Sequence, residues 1–134
     1  MNIREIKENK KQYLSLLLLA DEQEDMIDRY IDRGTMYVLD DDGVKCECVV
    51  TDEGEGILEI KNIATEPQYQ GKGYARYLVE AAKKYAEKER VPLLFDTDME
   101  RYAQIYQHYG CVLYNQTSAS NGVTRYNLVW TKDK

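Results

Sequence analysis

The chain has 134 residues, 43% of them hydrophobic, and a formal net charge of −6. This length suits one domain, residues 1–134, with a hydrophobic core of its own. The acidic balance argues against nucleic acid as a partner, because neutralising phosphates requires a basic surface. It mildly favours cationic substrates, although a modest negative charge also simply keeps a protein in solution.

The cysteine and histidine content argues against three further kinds of site. Three cysteines, Cys46, Cys48 and Cys111, form no even set and no Cys-x-x-Cys pair, which argues against a disulfide framework and a zinc knuckle. His108 is the single histidine, so a histidine-rich metal site is excluded as well. We therefore expect no metal.

The N-terminal segment lacks the features of a targeting or membrane-spanning sequence. Residues 1–11 are mostly polar and charged, unlike a signal peptide. The apolar run at residues 16–20 is far too short to span a bilayer. We expect a cytoplasmic protein with no membrane partner.

The first elements in chain order are predicted to be a strand and two helices. Residues 2–6 fit a short strand, and residues 10–19 have the apolar spacing of a helix. Asp21 lies three residues before Glu24, which is the spacing of a capping box at the start of a second helix. Gly34 is predicted to end that helix.

Three strands are predicted next. Residues 35–39 and 44–50 are apolar or β-branched, and the Asp-rich turn between them ends in Gly43, which can take positive φ. Cys46 and Cys48 should therefore point to one face of their strand. A second turn, at residues 54–56, leads into an apolar run that contains Ile57, Leu58, Ile60 and Ile63.

The segment Gln70-Gly71-Lys72-Gly73-Tyr74-Ala75 joins that strand to an amphipathic helix. The apolar residues of this helix follow the i, i+3, i+4, i+7 spacing of one buried face: Ala75, Leu78, Val79, Ala82, Tyr85 and Ala86. Gly71 and Gly73 let the backbone approach a ligand closely, and the free N–H groups of a first helical turn attract an anion. The order of elements predicts a phosphate-binding turn, although two glycines could also form an ordinary surface turn.

Two familiar phosphate loops do not fit these residues. No glycine lies five positions before Gly71, and Gly73 stands where a P-loop carries Ser or Thr. A dinucleotide fingerprint requires a third glycine at Arg76 and a larger parallel unit than this chain contains.

The remaining elements complete a mixed sheet. A short buried strand at residues 91–97 precedes a helix at residues 100–109, and two strands follow, at residues 111–116 and 124–130, joined by a turn at residues 118–122. Some consecutive strands are joined by helices and others by hairpins. This order predicts an α/β fold with a mixed, mostly antiparallel sheet of about seven strands and helices on both faces.

The turn resembles motif A of the GNAT N-acetyltransferase superfamily, Gln/Arg-x-x-Gly-x-Gly/Ala, with Gln70, Gly73 and Ala75 in the fixed positions. Residues 59–67 resemble the family's fourth strand, and residues 16–34 resemble a subgroup of small bacterial members. In this family the fourth and fifth strands splay apart. The resemblance implies that acetyl-CoA, as cosubstrate, lies in that opening and on the turn, held by Ile63, Ala64, Thr65, Gln70, Gly71, Lys72, Gly73, Tyr74, Ala75 and Arg76.

The resemblance also implies a catalytic acid at Tyr106. Family members commonly carry a tyrosine four residues before a glycine that starts the next strand, as Tyr106 precedes Gly110. A tyrosine hydroxyl is protonated at neutral pH and can donate to a departing thiolate. However, Tyr102, Ile105, Tyr106 and Tyr109 also form a helical stripe, so Tyr106 could be a core aromatic residue.

The base that takes the proton of the attacking amine is predicted to be Glu59, with Asp96 as the second choice. Glu59 lies on the strand whose backbone is expected to hold the cosubstrate, but alternation along that strand also fits a solvated residue. Asn62 is expected to orient its neighbours through hydrogen bonds. Two positions depart from the family pattern: Gly110 is followed by Cys111, and the loop at residues 96–100 lacks an asparagine that many relatives carry.

These observations leave three functions open. The first is an acetyl-CoA-dependent N-acetyltransferase that acts on a primary amine of a small molecule or a protein, by direct attack in a ternary complex, with a homodimer as one option for its assembly. The second is a non-catalytic acyl-CoA-binding regulatory module, and the third is a domain whose turn binds nothing.

Overall fold

A computed structural model describes residues 1–132 and places seven strands in one sheet. The order across the sheet is β1-β2-β3-β4-β5-β7-β6, and β4 with β5 is the parallel pair among antiparallel neighbours. The predicted mixed α/β fold is confirmed. The strands are β1 Asn2–Ile6, β2 Thr35–Asp40, β3 Val44–Asp52, β4 Leu58–Thr65, β5 Leu93–Thr97, β6 Val112–Ser118 and β7 Thr124–Trp130.

Helices cover both faces of the sheet. The α-helices are α1 Leu14–Ala20, α2 Glu24–Asp28, α3 Tyr74–Glu89 and α4 Glu100–His108, with 3-10 turns at Lys10–Tyr13 and Pro67–Tyr69. The first two pack on one face of the sheet and the last two on the other. Within residues 1–132, no helix combines the length and apolar character needed to cross a membrane.

Each face of the sheet has its own hydrophobic core. On the α3 face, Leu78 and Val79 are fully buried against a cluster that includes Cys48 and Phe95. Truncating such a leucine to alanine typically costs about 2–5 kcal/mol. The α1 face buries a smaller cluster, whose members include Leu17, Ile27, Tyr30, Met36, Val38 and Val49.

Two predictions about the first helices are wrong. Asp21 does not cap the second helix, because α2 begins at Glu24 after Gln23 and has no side-chain cap. The Asp21 carboxylate instead accepts a hydrogen bond from the Tyr30 hydroxyl at 3.2 Å. The predicted helix at residues 10–19 opens as a 3-10 turn and becomes α-helical only at Leu14.

β4 contains a bulge and then diverges from β5, and the candidate site lies at this point. Along β3, Val49 pairs with Asn62 and Val50 pairs with Ile60, so Lys61 is the extra residue of a bulge. The parallel pairing of β4 with β5 covers only three residue pairs and ends at Ile60 and Phe95. Beyond that point the two strands part, as the resemblance implied.

Candidate active site

A cavity of about 500 Å³ lies where β4 and β5 separate. Three parts of the chain line most of it: the end of β4, the Gly-rich turn with the start of α3, and α4. Leu19 and Ala20 of α1 also line it, although α1 packs on the opposite face of the sheet. The cavity is therefore bordered by helices from both faces of the sheet, at the end of β4 that β5 does not cover.

The Gly-rich turn holds the backbone geometry that favours an anion. Gly71 and Gly73 have φ values of 80° and 83°, and Gly73 is the N-cap of α3. No side chain caps this helix start. A Cβ added at either glycine would meet no described protein atom within 4 Å, so the space in front of the turn is open. The N–H groups of the first turn of α3 are consequently available to a ligand.

Two side-chain hydrogen bonds hold the turn in place. Gln70 Nε2 donates to the Thr65 carbonyl at 3.1 Å, which folds the turn back onto the end of β4. The Tyr74 hydroxyl donates to Asp41 at 2.7 Å and so ties α3 to the β2–β3 hairpin. This hydrogen bond to a carboxylate raises the pKa of Tyr74 above its ordinary value.

Three cations surround the turn. The Nζ atoms of Lys45 and Lys72 lie 4.3 Å and 5.6 Å from the centroid of the Tyr69 ring, and the Arg76 guanidinium lies 6.0 Å from that of Tyr109. None of the three forms an ion pair with a carboxylate of residues 1–132. Their charges are therefore free to face a phosphate. Sequence analysis missed Lys45, which reaches the turn only through the pairing of β3 with β4.

The backbone at the end of β4 presents unpaired groups to the cavity. Alternate residues of an antiparallel strand direct their N–H and C=O groups to the same neighbour. The Glu66 N–H donates to the Lys45 carbonyl at 3.0 Å, so Ala64 also faces β3. Ile63 and Thr65 consequently direct theirs toward the side from which β5 has diverged.

Tyr106 is both a packed aromatic residue and a cavity residue. Its ring lies 4.8 Å from the ring of Phe95, centroid to centroid, and the residue lines the cavity. Its hydroxyl has no hydrogen-bond partner among residues 1–132. Burial raises the pKa of this hydroxyl well above its usual range, so it carries its proton at neutral pH. Tyr102, Ile105 and Tyr109, predicted as one helical stripe with it, line the same cavity.

The two candidate bases lie away from the cavity lining. Glu59 is half-buried on the α1 face of the sheet, since its neighbours Leu58 and Ile60 face α3, and its carboxylate pairs with Lys61 Nζ. Asp96 accepts hydrogen bonds from Arg125 Nε at 3.2 Å and Asn127 at 3.4 Å, and forms an ion pair with Arg125. Both carboxylates thus already have protein partners.

Asn62 has the orienting role expected of it. Its side-chain amide donates to the Leu17 carbonyl at 3.0 Å and to the Tyr30 hydroxyl at 3.1 Å. These bonds join β4 to α1 directly beside Ile63. The bulge at Lys61 is the reason that Asn62 faces α1 while Ile63 faces the same side as Leu58 and Ile60.

The described residues also show how the cysteines and possible metal ligands are arranged. Cys46, Cys48 and Cys111 are all buried free thiols, and burial raises the pKa of both Cys46 and Cys111 to about 12. Cys46 and Cys48 share the α3 face, as predicted. No group of three or more His, Cys, Asp or Glu side chains within residues 1–132 is placed to hold a metal ion.

A family model described as an acetyltransferase (GNAT) domain matches residues 32–110, which is more than half of the chain. No curated protein matches the sequence. The matched range contains the Gly-rich turn, β4 and Tyr106.

Solved structures resemble the chain over nearly its whole length. An acetyltransferase of Bacillus subtilis in complex with CoA is 24% identical, with 97% of each chain covered and a TM-score of 0.87. An IAA acetyltransferase from Bacillus cereus is 28% identical, with 97% of this chain and 98% of that chain covered and a TM-score of 0.82. A GNAT family acetyltransferase from Elizabethkingia anophelis with acetyl-CoA bound is 20% identical, with 97% of each chain covered and a TM-score of 0.85.

Proposed function

The chain belongs to the GNAT acetyltransferase family, and from that premise we propose that it is an acetyl-CoA-dependent N-acetyltransferase that acts on a primary amine of a small molecule or a protein. The observation that supports this proposal most strongly is the set of groups that border one cavity. An uncapped helix start, an unpaired strand backbone and a protonated tyrosine all border it.

The residues of the cavity fit the parts of acetyl-CoA. The N–H groups after Gly71 and Gly73 would hold the pyrophosphate, with Lys72 and Arg76 near its charge. Lys45 adds a third cation beside the same turn. The free backbone groups of Ile63 and Thr65 would pair with the amide groups of the pantetheine arm, in place of the missing strand partner.

The acyl-transfer chemistry needs a donor to the thioester oxygen, a base and an acid. In our proposal the Ile63 N–H holds the thioester oxygen and the negative charge that develops on it. Glu59 accepts the proton that the amine loses as its nitrogen attacks the carbonyl carbon. Tyr106 donates a proton to the thiolate as the carbon–sulfur bond breaks, so the products are the acetylated amine and the free thiol of CoA.

In our proposal Glu59 and Tyr106 act from opposite faces of the sheet: Tyr106 lines the cavity, and Glu59 lies beside it, outside its lining. Tyr106 lies on the α3 face and Glu59 on the α1 face, close to the point at which β4 and β5 separate. We propose that the amine enters from the α1 face. This arrangement supports a direct ternary-complex route, and the three buried cysteines are poor candidates for the nucleophile of a covalent acyl-enzyme.

Two measurements test the proposal. Acetyl-CoA should raise the melting temperature in a concentration-dependent way, because a ligand that binds only the folded state stabilises it. A panel of primary amines should then release CoA thiol, detected with a thiol reagent. Burial and raised pKa values keep Cys46, Cys48 and Cys111 from contributing to that signal.

A second candidate function is an acyl-CoA-binding regulatory module without turnover. The ion pair between Glu59 and Lys61 favours it, because the carboxylate already has a protein partner and lies outside the cavity lining. Thermal stabilisation by acetyl-CoA without thiol release from any amine would support this module. If acetyl-CoA does not stabilise the protein and no amine releases CoA thiol, both functions are excluded.

A further inference from the structure

Glu47 is a fully buried acid that plays no part in the proposed chemistry. It lies in the middle of β3, and its strand neighbours Cys46 and Cys48 face α3, so its side chain faces α1. Val38, opposite it on β2, belongs to the apolar cluster of the α1 face. Neither carboxyl oxygen of Glu47 has a hydrogen-bond partner among the described residues.

Asn62, on the adjacent strand, also has a buried polar atom without a hydrogen-bond partner. Its Nδ2 atom uses both of its hydrogens, on the Leu17 carbonyl and the Tyr30 hydroxyl, whereas its Oδ1 atom is buried without a partner. Glu47 pairs with Ala64 and Asn62 pairs with Val49, which makes Glu47 and Asn62 diagonal neighbours on one face of the β3–β4 ladder. Long side chains in diagonal positions can reach each other.

The missing group on this face is a hydrogen-bond donor. An ionised carboxylate has only acceptors, whereas the protonated acid has one O–H to donate. Burial raises the pKa of Glu47 well above its usual value, and the nearby Ala64 N–H acts in the opposite direction. The titratable side chains that face Glu47 across the packed elements are Tyr30, whose hydroxyl proton already goes to Asp21, and through it Asp21 itself.

We propose that Glu47 and Asn62 are a positioning pair, in which the carboxylic acid of Glu47 donates a hydrogen bond to Asn62 Oδ1 and thereby fixes the β4 backbone at Ile63. The proposal rests on the proposed function in one respect, namely that the Ile63 N–H holds the thioester oxygen.

The position of the pair explains why this backbone needs support. Ile63 lies two residues after the bulge at Lys61, within the part of β4 that β5 no longer pairs with. The Asn62 amide also holds the Leu17 carbonyl, and Leu19 and Ala20, two and three residues further along α1, line the cavity. One buried network thus connects the oxyanion-holding strand with the helix end across the cavity.

Variants of Glu47 separate a positioning role from a packing role. Glu47→Gln keeps a donor of the same shape and should retain kcat within about twofold. Glu47→Leu removes the donor and should lower kcat roughly tenfold to a hundredfold with little change in the KM for acetyl-CoA, because small displacements of reacting groups have effects of that size. Val38→Ala, on the neighbouring strand of the same cluster, is the control for lost packing and should leave kcat nearly unchanged.

Infrared spectroscopy tests the hydrogen bond without requiring activity. Wild-type protein at pH 7 should show the carbonyl stretch of a protonated carboxylic acid, which Glu47→Gln abolishes and Asn62→Ala shifts. Absence of this band, or a band that Asn62→Ala leaves in place, would overturn the pair even if Glu47→Leu fails to fold. A wild-type protein that shows the band but no turnover would instead refute the acetyltransferase and leave the hydrogen bond standing.

Discussion

The ring of Tyr106 lies against the ring of Phe95, with centroids 4.8 Å apart and planes inclined by 45°. Phe95 is buried at the last position where β5 still pairs with β4. This contact fixes a tyrosine of α4 beside the opening of the sheet. Tyr106 can therefore be both a core aromatic residue and the candidate acid, because its ring packs on the core while the residue lines the cavity.

The first prediction concerns the hydroxyl of Tyr106. Tyr106→Phe keeps the ring contact and removes a hydroxyl that has no partner among residues 1–132, so the melting temperature should change little. Loss of a general acid typically costs ~10²–10⁴ in rate, and we expect a decrease of that order in kcat with the affinity for acetyl-CoA preserved. Steady-state kinetics and thermal unfolding give both quantities.

Tyr85→Phe is the matched control, because Tyr85 packs on the same core from α3 and does not line the cavity. It should leave kcat unchanged. Equal turnover of Tyr106→Phe and wild type, on an acceptor whose chemical step limits the rate, would rule out the acid and leave protonation of the thiolate to solvent.

The second prediction concerns the base. Glu59→Gln should lower kcat/KM by ~10²–10⁴, because the amide cannot accept the proton of the amine. Glu53→Gln is the control, since Glu53 also lies beside Lys61, at 3.4 Å. If Asp96→Asn lowers the rate while Glu59→Gln does not, the role belongs to Asp96.

The third prediction concerns the charges at the Gly-rich turn. Lys72→Ala, Arg76→Ala and Lys45→Ala should each weaken CoA binding at low salt, and the losses should shrink at high salt because exposed charges are screened over ~10 Å at 0.1 M. Lys84→Ala, an exposed lysine of α3 outside the cavity, should bind CoA normally. Affinities equal to wild type for all three variants would place these cations on an ordinary solvated surface.

The fourth prediction concerns stability and pH. The folded-state pKa of Glu47 lies well above its unfolded value of 4.5, so its contribution to stability is fully present below pH 4.5 and is lost as pH rises toward the folded pKa. Glu47→Gln removes this dependence. Its stability relative to wild type should therefore increase from pH 4.5 to pH 8 in urea unfolding. A constant difference over this range would mean that Glu47 titrates normally.

The Gly-rich turn and α3 could be predicted because their signals are local. Apolar spacing in a long helix and a glycine pair before it lie within one short segment, and Gln70, Gly73 and Ala75 match a compact motif. The family prediction that follows from them is confirmed. The cytoplasmic location, a possible homodimer and the roles of Tyr106 and Glu59 stay predictions.

The rest of the site depends on contacts between distant parts of the chain. Lys45 reaches Tyr69 only through the β3–β4 register, and no pattern in the sequence marks the bulge at Lys61. Helical spacing showed that Tyr102 and Tyr106 share a face of α4, but it could not show that this face borders a cavity. The capping box failed for a similar reason, since Tyr30 engages the Asp21 carboxylate.

The central claim is that the turn before α3 binds acetyl-CoA, and Gly73→Val tests it most directly. Valine at a φ of 83° is strained, and its side chain would occupy the open space in front of the helix N-terminus. Gly122→Val is the matched control, because Gly122 has a φ of 86°, equally open surroundings and no place in the cavity.

The measurement is calorimetric titration of wild type and both variants with acetyl-CoA. We predict saturable binding to wild type and to Gly122→Val, and an affinity at least about tenfold lower, or ~1.4 kcal/mol, for Gly73→Val. Unchanged affinity of Gly73→Val, or no binding by the wild-type protein, would contradict the account.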